Sequence, residues 1–405
     1  KTKNDNLSIS ADSSQSIKSS TKSKTALKQA EIHEKSSKKN TPSVNTTGSE
    51  ITKDELKTLL EDAKFRARGG SVANYIPELV QTPAEKNGIA LCYINGEFVS
   101  AGDSNKKLRD PENGSIARKD RILDDCFTIQ SISKVFALLH ILERLGEQEV
   151  FKRMRKEPTG DPFNASPKIR SVSGLRMPDN PLINVGAILT TSMFPVPNPE
   201  MGDDPSLSKF DLFLKFLGNL FGAKEPLIID EDVFDSERAT GHNNRALAWQ
   251  MSADDIFQHQ EDELLRSVID LTSDEAIEIQ REIRVKEVES VERVLKNYFR
   301  QCSILVTCDY LANAAAVLAN DGIRPKCNLQ DSGKRILKAN NVKTVIALMS
   351  SCGMYDGSGQ FAHDVGIPGK SGVGGGIMCV VPGKLGIATY APPLDEQGNS
   401  VRGLY

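Results

Sequence analysis

Two hairpin signals lie towards opposite ends of this chain, and they constrain its fold more than any other feature. The first is Asn95-Gly96, set between Ile89-Ala90-Leu91-Cys92-Tyr93-Ile94 and Glu97-Phe98-Val99-Ser100-Ala101. Asn-Gly tolerates the left-handed backbone of a tight turn, and both flanks carry strand-forming residues. The second is Pro382-Gly383-Lys384, between Gly376-Ile377-Met378-Cys379-Val380-Val381 and Leu385-Gly386-Ile387-Ala388-Thr389-Tyr390. Between the hairpins the pattern is mostly helical. Val135, Leu138, Leu139, Leu142 and Leu145 recur at helical spacing before Gly146, and 210–221, 305–318 and 338–351 are further helix candidates. Upstream, Leu56, Leu59, Leu60 and Ala63 suit an amphipathic helix beginning near Thr52 and broken by Gly69-Gly70. The economical arrangement is α+β: one antiparallel sheet from both chain ends, with an inserted helical subdomain at roughly 131–350.

With 405 residues, a net charge of -3 and 39% hydrophobic residues, the chain reads as globular, without general attraction to nucleic acid. No stretch approaches the ~20 apolar residues of a membrane span. Residues 1–50 hold nine lysines against five acids and few large apolar side chains, so a disordered tail is expected before a domain at 51–405. Residues 254–293 hold thirteen acids and five basic residues and read as an acidic helical excursion. The seven cysteines form no C-x-x-C and sit mostly in apolar runs, which predicts reduced, buried thiols in an intracellular protein. Cysteine and histidine never cluster at ligand spacing, so neither metal nor other cofactor is expected. The chain begins at Lys1, and the expected compartment stays open between cytoplasm and mitochondrion.

Chemistry concentrates at Phe127-Thr128-Ile129-Gln130-Ser131-Ile132-Ser133-Lys134-Val135-Phe136, a short strand feeding a helix. A serine hydroxyl is a poor nucleophile at neutral pH and needs a base. Lys134, three residues on, shares a helical face with Ser131. A desolvated lysine near a helix N-terminus loses its proton more easily and can take that of Ser131. The spacing alone recurs at Ser19–Lys22, Ser36–Lys39, Ser104–Lys107 and Ser206–Lys209. None of those follows a strand and opens a strongly apolar helix.

Lys370-Ser371-Gly372 immediately precedes the last hairpin. In penicillin-binding proteins and serine β-lactamases a K-[ST]-G triplet on an edge strand faces the serine-lysine pair. The order here matches that layout. A phosphate-binding loop at Gly369-Lys370-Ser371 fails on two counts: Asp364 stands where the first glycine is required, and strand residues follow instead of a helix.

Further motifs occur in order along the chain. They are Tyr75-Ile76-Pro77-Glu78-Leu79, the Ser131 run, Glu157-Pro158-Thr159-Gly160 with Phe163-Asn164, and Asn180-Pro181-Leu182-Ile183-Asn184-Val185-Gly186-Ala187-Ile188. Ser236-Glu237, Gln301-Cys302-Ser303, Ser351-Cys352-Gly353-Met354-Tyr355-Asp356 and Lys370-Ser371-Gly372-Val373 follow. Together they resemble the serine-dependent glutaminases, a family of β-lactamase-like fold. The resemblance implies hydrolysis of L-glutamine to L-glutamate and ammonia. It makes Ser131 the nucleophile, Lys134 its base and Tyr355 a proton relay to the leaving ammonia, with the N–H groups of Ser131 and Val373 as the oxyanion hole. It assigns Tyr75, Gln130, Asn184, Glu237, Asn244 and Tyr298, with Tyr355 and Val373, to the substrate. It also implies a homodimer or homotetramer.

Without the resemblance, each residue has a plainer role. Tyr75 and Tyr298 suit core aromatics, Asn184 a helix N-cap, Tyr355 a turn, and Glu237 and Asn244 a solvated polar loop. The chain departs from the family where Asn243-Asn244-Arg245 replaces the usual Arg-Asn and where Val185 follows Asn184 in place of Ala. The acidic stretch also lengthens the Asn244–Tyr298 spacing. The alternative activity is that of a β-lactamase-like hydrolase or transpeptidase on peptides or β-lactams. The lack of an S-D-N or Y-x-N triplet in a clear helical context argues against it.

Overall fold

A computed structural model describes residues 51–104, 126–160, 170–172, 175–254, 256–257, 274–326 and 331–405. The expected tail at 1–50, Phe163-Asn164, Cys327 and residues 258–273 of the acidic stretch lie outside the described residues.

Helix α1 (Lys53–Arg66) starts where Thr52 and Glu55 cap one another's backbone N–H groups. It buries Leu56, Leu60 and Ala63, whereas Leu59 remains 41% exposed. After the short α2 (Pro77–Val80) come β1 (Gly88–Tyr93) and β2 (Phe98–Gly102), joined by the Asn95-Gly96 turn. At the far end lie β7 (Gly369–Ser371), β8 (Gly376–Val381) and β9 (Leu385–Tyr390). These five strands form one antiparallel sheet, ordered β2-β1-β9-β8-β7. β1 and β9 lie side by side, with Gly88 opposite Tyr390 and Tyr93 opposite Leu385, so the two ends of the chain close a single sheet. That is the sheet expected from the two hairpins.

The layer packed on it comes from the intervening sequence. β3 (Phe127–Thr128) leads through a 3₁₀ turn at Gln130–Ile132 into α3 (Ser133–Leu145). Helix α3 is buried well beyond the stripe that its leucine spacing marks. Phe136, Ala137 and Ile141 are as deeply buried as Val135, Leu138 and Leu142, while Leu145 is exposed. A helix apolar on every side belongs in the middle of a core. After it come α4 (Glu147–Val150), the hairpin β4 (Arg170–Val172) and β5 (Leu175–Met177), and α5 (Asn184–Ser192). Then follow α6 (Lys209–Phe221), α7 (Glu231–Thr240), α8 (His242–Ala253) and α9 (Asp274–Cys302). Last come β6 (Leu305–Val306), α10 (Cys308–Ala319), α11 (Ala339–Cys352) and α12 (Ser358–Asp364).

The expected helix at 305–318 is divided. Leu305 and Val306 pair with Thr128 and Phe127, and Thr307 then accepts a hydrogen bond from the Tyr310 N–H as the N-cap of α10. That pairing anchors the strand that precedes Ser131. Helix α9 continues the acidic stretch into the core at Val291, Leu295, Tyr298 and Phe299. Six of the cysteines are buried and free. No helix among the described residues is long and apolar enough to cross a membrane.

Candidate active site

Ser131 sits where β3, the 3₁₀ turn and the end of β7 meet. Gln130, just before it, has a left-handed φ of 48°, a conformation that costs a non-glycine residue about 1–2 kcal/mol. Ser133 holds the Gln130 carbonyl in place, its hydroxyl donating at 2.7 Å. Gly372 lets the strand end come close: a Cβ there would lie 3.0 Å from the Ile129 carbonyl oxygen. The glycine of the K-S-G triplet therefore makes room for the serine turn itself.

Tyr355 approaches from a second strained turn, with φ of 56°. Ser358 steadies it by donating to the Tyr355 carbonyl at 2.7 Å and accepting from the Met354 N–H at 3.0 Å. Gly353 seats the turn on β7, since a Cβ at that position would fall 1.8 Å from the Gly369 carbonyl oxygen. The Tyr355 phenol hydrogen-bonds to the Ser131 hydroxyl and receives the Val373 N–H. It donates to the Ser371 carbonyl at 3.1 Å. Burial raises its pKa above that of a free phenol, so it stays protonated. Ser131, Val373 and Tyr355 thus converge on one point.

Lys134 is wholly buried on the first turn of α3. Its amino group donates to Asn184 Oδ1 at 2.6 Å, and Asn184 Nδ2 donates to Asn244 Oδ1 at 3.0 Å. Burial brings its pKa down to about 8, with Cys302 and Glu237 partly opposing the shift. Asn184 is the first residue of α5, not its N-cap. The loop before it is fixed by Asn180, whose side chain accepts from the Leu182 and Ile183 N–H groups and donates to the Glu157 carbonyl. Asp179 pairs with Arg155 at 2.8 Å. The E-P-T-G and N-P-L-I-N motifs are therefore neighbours in space. Pro158, Thr159, Gly160, Ser351 and Cys352 are among the residues lining a small cavity that opens against Tyr355.

Glu237 and Asn244 lie on α7 and α8, correcting the polar loop that their sequence context suggests. Glu237 is only 7% exposed, and burial raises its pKa. Tyr75 donates to its Oε1 at 2.7 Å, and Gln130 also hydrogen-bonds to it, which favours the ionised form. Tyr75 leaves 45% of its surface exposed while its hydroxyl points inward to Glu237 and Gln130.

Tyr298 on α9 hydrogen-bonds to Cys302, whose thiol also meets the Ser133 hydroxyl. Burial pushes that thiol up to about 12, which leaves it un-ionised and no rival to the serine. The chain of contacts from Tyr298 through Cys302 and Ser133 to the Gln130 carbonyl runs behind the nucleophile turn.

The structure thus brings Ser131, Lys134, Asn184, Asn244, Tyr355 and Val373 together, with Tyr75, Gln130 and Glu237 linked at one edge and Tyr298 reaching them from behind. One residue here was read from sequence only as a marker of fold. Lys370 on β7 is wholly buried, with its amino group 4.3 Å from the centre of the Tyr355 ring.

The glutaminase family profile matches residues 70–279 and 272–405. A glutaminase of Alkaliphilus oremlandii is 37% identical over 350 residues, spanning 86% of this chain and 94% of that protein. A solved structure described as the probable glutaminase ybaS superposes with a TM-score of 0.64 at 33% identity, covering 87% of this chain and 94% of the other. The crystal structure of Mglu in its glutamate form superposes at 0.67 with 29% identity, covering 88% and 67%. Family profile, sequence relatives and fold agree: this chain belongs to the glutaminase family, whose fold is that of the serine β-lactamases.

Proposed function

We propose that this chain hydrolyses L-glutamine to L-glutamate and ammonia through a γ-glutamyl ester on Ser131. The observation that carries this reading is the meeting of the Ser131 hydroxyl, the Val373 N–H and the Tyr355 phenol beside a buried lysine of low pKa.

Neutral Lys134 takes the Ser131 proton as Oγ attacks the side-chain amide carbon of glutamine. The Ser131 and Val373 N–H groups receive the resulting oxyanion. The intermediate collapses as a proton passes through Tyr355 to the departing nitrogen, which leaves as ammonia. Water then attacks the ester, with Lys134 again accepting a proton, and glutamate departs as Ser131 recovers its hydroxyl.

The rest of the pocket suits an amino acid. Ionised Glu237 answers the substrate ammonium, and Tyr75 and Gln130 keep that carboxylate oriented. Asn184, Asn244 and Tyr298 supply amide and phenol donors for the substrate carboxylate and its side-chain amide. A structural relative crystallised in a glutamate form is in keeping with a site for an amino acid of this kind.

The test is ammonia release from L-glutamine by the purified chain, alongside Ser131→Ala. Wild-type turnover with loss of at least about 10³-fold in the variant is expected. Turnover retained by Ser131→Ala overturns the ester, and a wild-type chain inert to glutamine but labelled at Ser131 by penicillin points to the β-lactamase-like alternative.

A further inference from the structure

Two lysines are buried in this site, and the proposed reaction uses one. Lys370 is fully enclosed, and an enclosed ammonium costs several kcal/mol unless its surroundings repay it. Its amino group donates to the Ser371 carbonyl at 2.7 Å. The Tyr355 phenol donates to that same carbonyl at 3.1 Å. The ammonium also lies over the face of the Tyr355 ring, at 4.3 Å from its centre. One lysine therefore grips both the ring of the tyrosine and the acceptor of its hydroxyl.

We propose that Lys370 is a positioning residue for Tyr355, fixing the phenol over Ser131 and setting how readily it gives up its proton to the departing amine. The inference deepens the glutaminase reading and rests on it. The physical route has two parts. A carbonyl already engaged by an amine is a weaker acceptor for a second donor, which frees the phenol proton for transfer towards the substrate nitrogen. The amine packed against the ring face keeps the phenol in one orientation as that proton leaves. The Lys370 amine meets the Ser371 carbonyl and the Tyr355 ring, so its influence on Ser131 runs through Tyr355.

The charged and titratable groups facing this lysine are few. They are Tyr355 on its turn, Lys134 on α3 and Cys352 on α11. Burial first, and then the like charge of Lys134, hold Lys370 well below an ordinary lysine. Lys134 additionally faces Cys302 on α9 and Glu237 on α7.

A double-mutant cycle decides the matter. Lys370→Met, Tyr355→Phe and the double variant are assayed for ammonia release, with Ser131→Ala as the control for the underlying reading. Lys370→Met should lower kcat about 30-fold with KM for glutamine within about twofold. In the Tyr355→Phe background the same change should cost less than about threefold, because the group it acts through is gone. The ascending limb of kcat/KM governed by Lys134 should stay in place in Lys370→Met, since burial, Cys302 and Glu237 set that pKa. Removing a buried amine for an apolar side chain of similar length should leave the melting temperature unchanged or higher. Should the methionine variant fail to fold, Lys370→Gln, which keeps a donor for the Ser371 carbonyl, serves in the same cycle. Losses that multiply in the double variant, or a single variant with wild-type kcat, overturn the role of Lys370. Turnover retained by Ser131→Ala overturns the ester reading instead.

Discussion

Two lysines and a phenol, all sealed from water, stand by Ser131, whereas at the other edge a carboxylate, Glu237, meets a tyrosine whose ring reaches the surface. Burial acts on both ends with opposite consequences. It strips Lys134 of proton affinity, bringing the pKa to about 8 and making a base of a residue that is ordinarily an acid. At Glu237 it favours the neutral acid, which could not bind an ammonium, and hydrogen bonds from Tyr75 and Gln130 oppose that loss. Desolvation activates one end and must be offset at the other.

If that contrast holds, the two ends should fail in different kinetic constants. Lys134→Met removes the base and should reduce kcat by about 10³-fold or more, with little change in KM. Glu237→Gln keeps the shape of the side chain but not its charge, and should reduce kcat/KM by about 10²-fold, chiefly through a higher KM. Steady-state kinetics on both variants check this. A Glu237→Gln enzyme with unchanged KM and depressed kcat would erase the division of labour.

Sheet and site differed in how far they could be read from sequence. The final hairpin was legible to the residue, because turn chemistry and strand composition are local. The helix expected at 305–318 was wrong at its start because pairing of Leu305 and Val306 with β3 depends on a partner some 180 residues earlier. Glu237 looked loop-bound because α7 carries only Val233 and Phe234 as large apolar residues, and its clearest signal was Asp230 as N-cap. Ser131 and Lys134 were found through neighbours in sequence and through resemblance. Lys370 escaped notice as part of the chemistry because alternation along a strand says which face a side chain takes, not which ring lies against it.

The pH profile separates the two ends without mutation. Glu237 must be ionised and its pKa is raised, so kcat/KM should first climb as that carboxyl loses its proton. Lys134 must be neutral and its pKa is lowered, so a second rise should follow as pH passes through about 8. Both limbs ascend, because in each case the deprotonated form is the working one. A rate that falls between neutral pH and 8 would remove Lys134 as the base.

The smallest expected effect is also the most direct probe of the offset at Glu237. Tyr75→Phe deletes one hydroxyl and leaves the ring, so packing at this half-exposed position changes little. The carboxylate keeps its Gln130 partner and loses the 2.7 Å donor. A hydrogen bond to a charged group contributes about 1.5–3 kcal/mol, and water reaching the exposed tyrosine position should replace part of it. KM should therefore rise by roughly tenfold, with kcat within about threefold of wild type. The first ascending limb of the pH profile should move to higher pH, since the ionised carboxylate has lost a stabilising donor. The limb governed by Lys134 should stay in place. A shift of the Lys134 limb instead would mean that the two ends titrate as one coupled unit, and that the sealed and the open halves of the site are not electrostatically separate.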